Sequence, residues 1–133
     1  MENNVTLTLA AKTENILIAR LAGATIAYNS GFDLETIEDI KVAIGEAVTN
    51  AIEHGSTSGD TITVDINFCN DKLTITVIDH GKGINQSDIP QSFEFNERGF
   101  GLLLIENLMD VTTTEAVLEG GTQIVMVKMK ASL

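Results

Sequence analysis

The order of patterns along the 133 residues predicts an α+β fold, a two-layer α/β sandwich with a mostly antiparallel sheet and helices on one of its faces. Two observations lead to this prediction. Segments of alternating polarity follow one another across short turns, as hairpin strands do. The helical patterns are grouped between these strands, without the strand-helix alternation of a parallel sheet.

The first half of the chain predicts a strand followed by two helices. Apolar residues alternate with polar ones from Val5 to Leu9, the period of a strand. A helical pattern runs from Thr13 to about Asn29. A second helix is expected to begin after Asp33, a good N-cap residue, and to end at His54-Gly55. The apolar residues on its predicted core face are Ile37, Ile40, Ile44, Ala47, Val48 and Ala51.

The second half predicts two strand pairs separated by a loop and a short helix. Ile62–Phe68 and Leu73–Asp79 alternate in polarity across a turn at Asn70-Asp71. The pattern is lost from Gly81 to Arg98, which predicts a polar loop. The remaining predicted elements are a helix and two strands: Gly101–Met109, Val111–Leu118 and Thr122–Met129. Because no linker-like stretch interrupts the chain, we expect a single domain over residues 1–133.

Composition argues against several classes of function. The net charge is −11, and the eight Lys and Arg residues are scattered, which disfavours nucleic-acid binding. The single cysteine cannot form an intramolecular disulfide. No apolar run reaches membrane-spanning length, and the N-terminus lacks the pattern of a secretory signal. These features predict a cytoplasmic protein that does not bind membranes.

The first candidate motif is Glu46-Ala-Val-Thr-Asn50 in the second helix. Residues 46 and 50 are four apart and therefore lie on one stripe of the helix, beside its apolar face. A carboxylate can accept a hydroxyl proton, and an amide oxygen is a hard ligand that suits Mg²⁺. Taken alone, the same stripe is also typical of a solvated helix face.

The second candidate motif is Asp79-His80-Gly81-Lys82-Gly83, at the end of a predicted strand. Its two glycines would let the backbone approach a ligand closely, and the Asp79 carboxylate would accept a hydrogen bond from an adenine amino group. An ordinary turn after a strand has the same composition, so this motif alone leaves both interpretations open.

The last two motifs are Arg98-Gly99-Phe100-Gly101, which opens a predicted helix, and Gly120-Gly121-Thr122, between the final strands. A glycine-rich helix N-terminus offers unpaired N–H groups to phosphate, and Arg98 would supply a cation. A flexible hinge and a natural hairpin are the alternatives.

Taken in order, the four motifs resemble the N, G1, G2 and G3 boxes of the GHKL (Bergerat-fold) superfamily of ATPases and kinases. The resemblance extends from about Asp33 to the C-terminus. Within the superfamily, the segment from Glu46 to Gly55 and the segment Gly101–Asp110 are most similar to the anti-sigma factor serine/threonine kinases of the RsbW/SpoIIAB kind. A histidine kinase would have a longer loop between Gly83 and Gly99 and a phospho-acceptor helix pair.

The resemblance implies a role for each matching residue. Asn50 would coordinate Mg²⁺ that bridges the ATP phosphates, and Glu46 would be the general base toward a Ser or Thr hydroxyl. Asp79 would bind the adenine amino group. The other residues implied to contact ATP are Gly81 and Gly83 beside the adenine, Gly99 and Gly101 around the phosphates, and Thr122 at the adenine end. Arg20 and Arg98 are further candidates for contact with a partner or with phosphate.

The implied function is that of a Mg-ATP-dependent protein serine/threonine kinase. It would phosphorylate a STAS-type anti-sigma factor antagonist, sequester a sigma factor, and form a homodimer through its N-terminal region. Two alternatives remain open from the sequence. One is a nucleotide-binding module that sequesters a partner without catalysis, and the other is an ATPase or a histidine-kinase catalytic fragment.

Overall fold

The computed structural model describes residues 2–55, 60–81, 97–117 and 120–131, with the backbone alone at residues 54, 55 and 97–99. These stretches form five strands and three α-helices. In chain order they are β1 (Asn3–Ala10), α1 (Ile16–Asn29), α2 (Leu34–Asn50), β2 (Thr61–Cys69), β3 (Lys72–Asp79), α3 (Glu97–Leu108), β4 (Val111–Ala116) and β5 (Thr122–Met129). A 3-10 turn at Thr13–Asn15 precedes α1, and a π-helical turn at Ala51–Gly55 continues α2.

The strands form one sheet in the order β1-β2-β3-β5-β4, and every neighbouring pair is antiparallel. Alternate residues of β2 and β3 are buried, so one face of the sheet carries the core. The predicted α+β class is therefore confirmed. None of the helices in the described stretches is long and apolar enough to cross a membrane.

The turn between β2 and β3 lies where the sequence predicts it, at Asn70 and Asp71. Both residues have positive φ, 53° and 61°, as a two-residue type I′ hairpin turn requires. Asn and Asp tolerate this conformation better than most residues, because their short polar side chains can hydrogen-bond locally. The Asp71 carbonyl also accepts a hydrogen bond of 2.8 Å from the Lys130 N–H.

The α2 helix begins at the predicted cap. Asp33 has extended backbone angles, and its Oδ1 accepts a 2.8 Å hydrogen bond from the Thr36 N–H. The Thr36 hydrogen bonds hold the pKa of the Asp33 carboxyl below its ordinary value of 3.8. The helix buries its apolar face in the core; the residues there with no exposed surface are Ile40, Ala43, Ile44, Ala47 and Val48.

The α3 helix is anchored at its C-terminal end. Lys128 on β5 donates a 2.8 Å hydrogen bond from its Nζ to the carbonyl of Leu108, one of the last carbonyls of the helix. Asp110 Oδ2 then accepts a 2.7 Å hydrogen bond from the Met129 N–H. Buried Ile105 and Met109 add apolar contacts, so this end of α3 is held to the sheet.

Two predicted boundaries were wrong. The α3 helix begins at Glu97, not at Gly101, so residues 98–100 are helical instead of forming the end of a loop. The glycines hide the helical pattern, but burial of Leu102 and Ile105 outweighs their low helix propensity. The β4 strand ends at Ala116, two residues before the predicted end at Leu118, which lies outside the described residues. Most of the predicted loop, residues 82–96, also lies outside them.

Candidate functional site

The end of β3 and the start of β5 place three of the predicted residues together. Asp79 Oδ1 accepts hydrogen bonds of 3.1 Å from the Gly81 N–H and of 3.1 Å from the Thr122 N–H. The Asp79 and Thr122 residues are only 4% and 2% exposed. Because two backbone donors hold one of its oxygens, the carboxylate has a defined orientation at this edge of the sheet.

A pair of glycines allows the start of β5 to come close to the end of β3. Gly120 and Gly121 have φ values of 95° and 103°, which side-chain-bearing residues rarely adopt. A Cβ on Gly121 would overlap the backbone carbonyl oxygen of Asp79, whereas a Cβ on Gly120 would lie 3.4 Å from the carbonyl oxygen of Gly81. The sequence predicts a hairpin here, and the structure shows that its glycines also bring β5 against the end of β3.

The Thr122 hydroxyl is an unusual group in this region. Its Oγ1 is buried and has no hydrogen-bond partner among the described residues. Buried hydroxyls are normally hydrogen-bonded, because an unsatisfied one loses its interaction with water without compensation. A ligand or a water molecule bound beside Asp79 would supply the missing partner, so this atom favours a binding site here.

The second group of predicted residues lies on α2. Asn50 is buried at the last position of the helix, and Glu46 is half-buried one turn before it. The π-helical turn after Asn50 contacts β3, the strand that ends at Asp79. The end of α2 therefore lies against the strand that carries the first group. The His54 side chain, at the predicted end of the second helix, lies outside the described side chains.

Glu46 also contacts α3. Its Oε2 lies 3.0 Å from the position that a Cβ on Gly101 would occupy, so the carboxylate packs against the backbone of this helix. Gly101 is buried and is the fifth residue of α3. The structure therefore brings together a motif from the second helix and a motif from the third, which the sequence alone does not pair.

Arg20 on α1 lies beside this second group. A Cβ on Gly45, the residue before Glu46, would lie 3.2 Å from Arg20 Cδ, and Arg20 Nε is buried with no partner among the described residues. The sequence does not single out Gly45, and a lone small residue inside a helix gives no signal of such a contact.

Of the other predicted residues, Gly83 lies outside the described stretches, and Arg98 and Gly99 are described only as helical backbone.

The metal-ligating side chains among the described residues suit a cation that is also coordinated by water and by substrate. No group of three His, Cys, Asp or Glu side chains among them is placed to hold a metal ion by itself. Mg²⁺ in phosphoryl-transfer sites keeps several waters and uses one or two protein ligands together with substrate phosphates. The amide oxygen of Asn50, one helical turn after Glu46, fits that pattern.

Comparison with known proteins gives a consistent assignment. A family model described as a histidine kinase-like ATPase domain matches residues 9–128. A protein named serine-protein kinase RsbW from Listeria innocua is 36% identical, over 96% of this chain and 88% of its own length. A protein named anti-sigma F factor from Clostridium botulinum is 33% identical, over 96% of this chain and 94% of its own length.

A solved structure supports the fold. The crystal structure of the RsbU and RsbW domains of a Mycobacterium tuberculosis protein matches with a TM-score of 0.74 and 24% identity. The match covers 98% of this chain and 33% of that longer chain. The sequence matches therefore show the family, and the structural match supports the fold.

The glycine pair yields a matched test of the contact between β3 and β5. Gly120→Ala introduces only backbone strain, and we expect it to lower the free energy of unfolding by roughly 1–2 kcal/mol. Gly121→Ala adds the overlap with the Asp79 carbonyl, and we expect a loss of about 3 kcal/mol. Urea unfolding followed by circular dichroism measures both. Equal losses for the two variants would contradict the close approach at Gly121.

Proposed function

Because the chain belongs to the histidine kinase-like ATPase domain family, we propose that it binds Mg-ATP and transfers the γ-phosphoryl group to a Ser or Thr hydroxyl of a partner protein. The proposal rests on two groups of residues, one at the end of the sheet and one on α2. A buried carboxylate and hydroxyl at the end of the sheet suit a purine. A second carboxylate beside a buried amide on α2 suits phosphoryl transfer.

The adenine would bind at the Asp79–Thr122 end. A carboxylate accepts several hydrogen bonds, so Asp79 can take the two backbone N–H groups and still accept one from the adenine amino group. The Thr122 hydroxyl would bond to the purine directly or through a water molecule, which would satisfy its Oγ1. Gly81 and Gly83 would leave room for the ring beside the backbone.

The phosphates would lie between α2 and the start of α3. Asn50 would hold Mg²⁺, which when bound neutralises phosphate charge and orients the γ-phosphoryl group. The first N–H groups of α3, including that of Gly99, have no partner within the helix and point toward its N-terminal end, where anions bind. Gly101 is the fifth residue of α3, past these unpaired N–H groups, so Gly99 is the proposed phosphate donor of the two glycines.

Glu46 would act as the general base. Its carboxylate would accept the proton of the attacking hydroxyl while the hydroxyl oxygen forms a bond to the γ-phosphorus. The bond between that phosphorus and the β,γ-bridging oxygen breaks, and its electron pair leaves with ADP. The products are ADP, a phosphorylated Ser or Thr, and a protonated Glu46, which returns its proton to solvent. Positioning and charge neutralisation provide most of the catalysis in such transfers.

We propose an anti-sigma factor kinase as the biological role. The names of the relatives from Listeria and Clostridium support it, since they are a serine-protein kinase and an anti-sigma factor. The partner that accepts phosphate would be a STAS-type antagonist, and the partner that is sequestered would be a sigma factor, both in the cytoplasm. Arg20, half-buried beside Glu46's helix, and Arg98, in the first turn of α3, would contact an incoming partner.

We also propose that the protein forms a homodimer through its N-terminal region. The β1 strand lies at one edge of the sheet and pairs with β2 alone among the described strands, so its other edge offers backbone groups for pairing. Light scattering coupled to size exclusion is expected to give twice the monomer mass of 14.3 kDa. A monomer at all concentrations would contradict this proposal.

Removal of the Asn50 amide tests the nucleotide site. Mg-ATP at a hundredfold excess over its dissociation constant stabilises a folded protein by about 2.7 kcal/mol, and we expect a corresponding rise in the unfolding midpoint. The rise should require Mg²⁺ and be lost in Asn50→Ala. Asn107→Ala, at an exposed position of α3, is the control and should keep it. No shift in the wild type at millimolar Mg-ATP would refute nucleotide binding.

Removal of the Glu46 carboxylate tests catalysis. Loss of a general base typically lowers a rate by about 10²–10⁴-fold, so Glu46→Ala should reduce phosphate transfer by this factor and still bind Mg-ATP. The measurement is transfer of labelled phosphate from ATP to recombinant STAS-type proteins. Glu35→Ala, an exposed position in the first turn of the same helix, is the control.

The outcomes of that assay separate the alternatives. Transfer that survives in Glu46→Ala would remove Glu46 from the role of base. A wild type that binds Mg-ATP and a partner but transfers no phosphate would support the sequestering module instead. Steady ATP hydrolysis without any partner would support an ATPase.

A further inference from the structure

The contact between Glu46 and Gly101 assigns a second role to this glycine. A Cβ at position 101 would lie 3.0 Å from Glu46 Oε2, tighter than an ordinary carbon–oxygen contact, so the carboxylate or the helix would have to give way by a few tenths of an ångström. The carboxylate of the proposed base thus lies directly against the place that a side chain at position 101 would take.

The backbone of α3 does not itself require glycine at this position. Gly101 lies within the helix, and it is not among the described glycines with positive φ, which are Gly31, Gly120 and Gly121. Alanine favours a helix interior more than glycine does. The absence of a side chain therefore serves the contact with Glu46 and not the conformation of the helix.

Both helices are held in place by their packing, so the Glu46 carboxylate is the group that a side chain at position 101 would displace. The α2 backbone beside Glu46 is held by Ala47 and Val48, which are fully buried. The α3 helix is held at its C-terminal end by the Lys128 hydrogen bond and by buried Leu102 and Ile105. The Glu46 side chain is half-buried and can change its rotamer without moving either backbone. A methyl group at position 101 would displace the carboxylate before it displaced either helix.

We propose that Gly101 is a positioning residue that sets the location of the Glu46 carboxylate, so that the start of α3 determines where the base meets the substrate hydroxyl. This inference rests on the proposed kinase function. In the transfer step Glu46 takes the hydroxyl proton as the oxygen bonds to the γ-phosphorus and ADP leaves with the bridging electron pair. Proton transfer requires hydrogen-bond distance, so a shift of the carboxylate slows this step.

A glycine that positions the base and a glycine that contacts the ATP phosphates predict different kinetic effects when they are replaced. A glycine that only wraps phosphate would affect nucleotide affinity when it is replaced. A glycine that positions the base would affect kcat and leave affinity nearly unchanged, because the lost interaction belongs to the transition state. The two roles can therefore be separated by kinetics.

Gly101→Ala is the decisive variant. We expect kcat for phosphate transfer to a STAS-type acceptor to fall by roughly 10- to 100-fold, with the Kd for Mg-ATP changed by less than about threefold. The unfolding midpoint should stay equal or rise, because alanine is the better helix former. Asn107→Ala makes a comparable gain in helix propensity at an exposed position of the same helix and should keep the wild-type kcat.

A double variant tests whether Gly101 acts through Glu46. In Glu46→Gln, which has no base, the added Gly101→Ala change should lower the residual rate no further. If the two effects multiply instead, Gly101 acts independently of the carboxylate and the inference is overturned. An unchanged kcat in Gly101→Ala, or a loss confined to Mg-ATP affinity, would overturn it as well.

A crystal structure of Gly101→Ala gives a readout that does not depend on a kinase assay. We expect the Glu46 carboxylate to be displaced from position 101 with α2 and α3 in place. A carboxylate that keeps its position while α3 shifts would overturn the inference. If the wild type transfers phosphate to no STAS-type protein, the kinase proposal fails, and this structure still decides whether Gly101 sets the position of the carboxylate.

Discussion

The packing of α2 against the sheet is the contact on which the rest of the site depends. Its apolar face is fully buried, including Ile40, Ile44 and Val48. Since the side chains of a helix radiate at fixed angles, burial of this face also fixes the neighbouring stripe that carries Glu46 and Asn50. The hydrophobic effect, which has no directional preference of its own, thereby orients Glu46 toward α3, with Asn50 one turn further along the same helix.

The Asp79–Thr122 end of the site is held by contacts with the backbone. Asp79 is buried, and a buried carboxylate is tolerated because N–H groups from Gly81 and Thr122 satisfy one of its oxygens. The Gly81 N–H is two residues along the same segment, and the Thr122 N–H comes close because Gly121 lets β5 approach the Asp79 carbonyl. With a net charge of −11, the chain has few cations to offer a nucleotide, so N–H groups and a metal ion carry more of that task.

Local signals were sufficient for most of the fold. Alternation of polarity identified the strands, the Asn70-Asp71 pair identified a tight turn, and Asp33 identified the start of α2. The prediction was wrong at the start of α3, because glycine at positions 99 and 101 is typical of a loop. Burial of Leu102 and Ile105 against the rest of the protein is a tertiary effect, and it outweighs local propensity there.

The sequence by itself determined which chemical groups the protein has and in what order: the carboxylate and amide on one helical stripe, the aspartate at a strand end, and the glycines that follow. These depend on local spacing, and spacing is readable from a single chain. The tertiary structure alone decided that Glu46 packs on Gly101 and that Gly121 closes on Asp79. Each contact joins segments far apart in the chain, and only the packing of helices and strands around a common core brings such segments together.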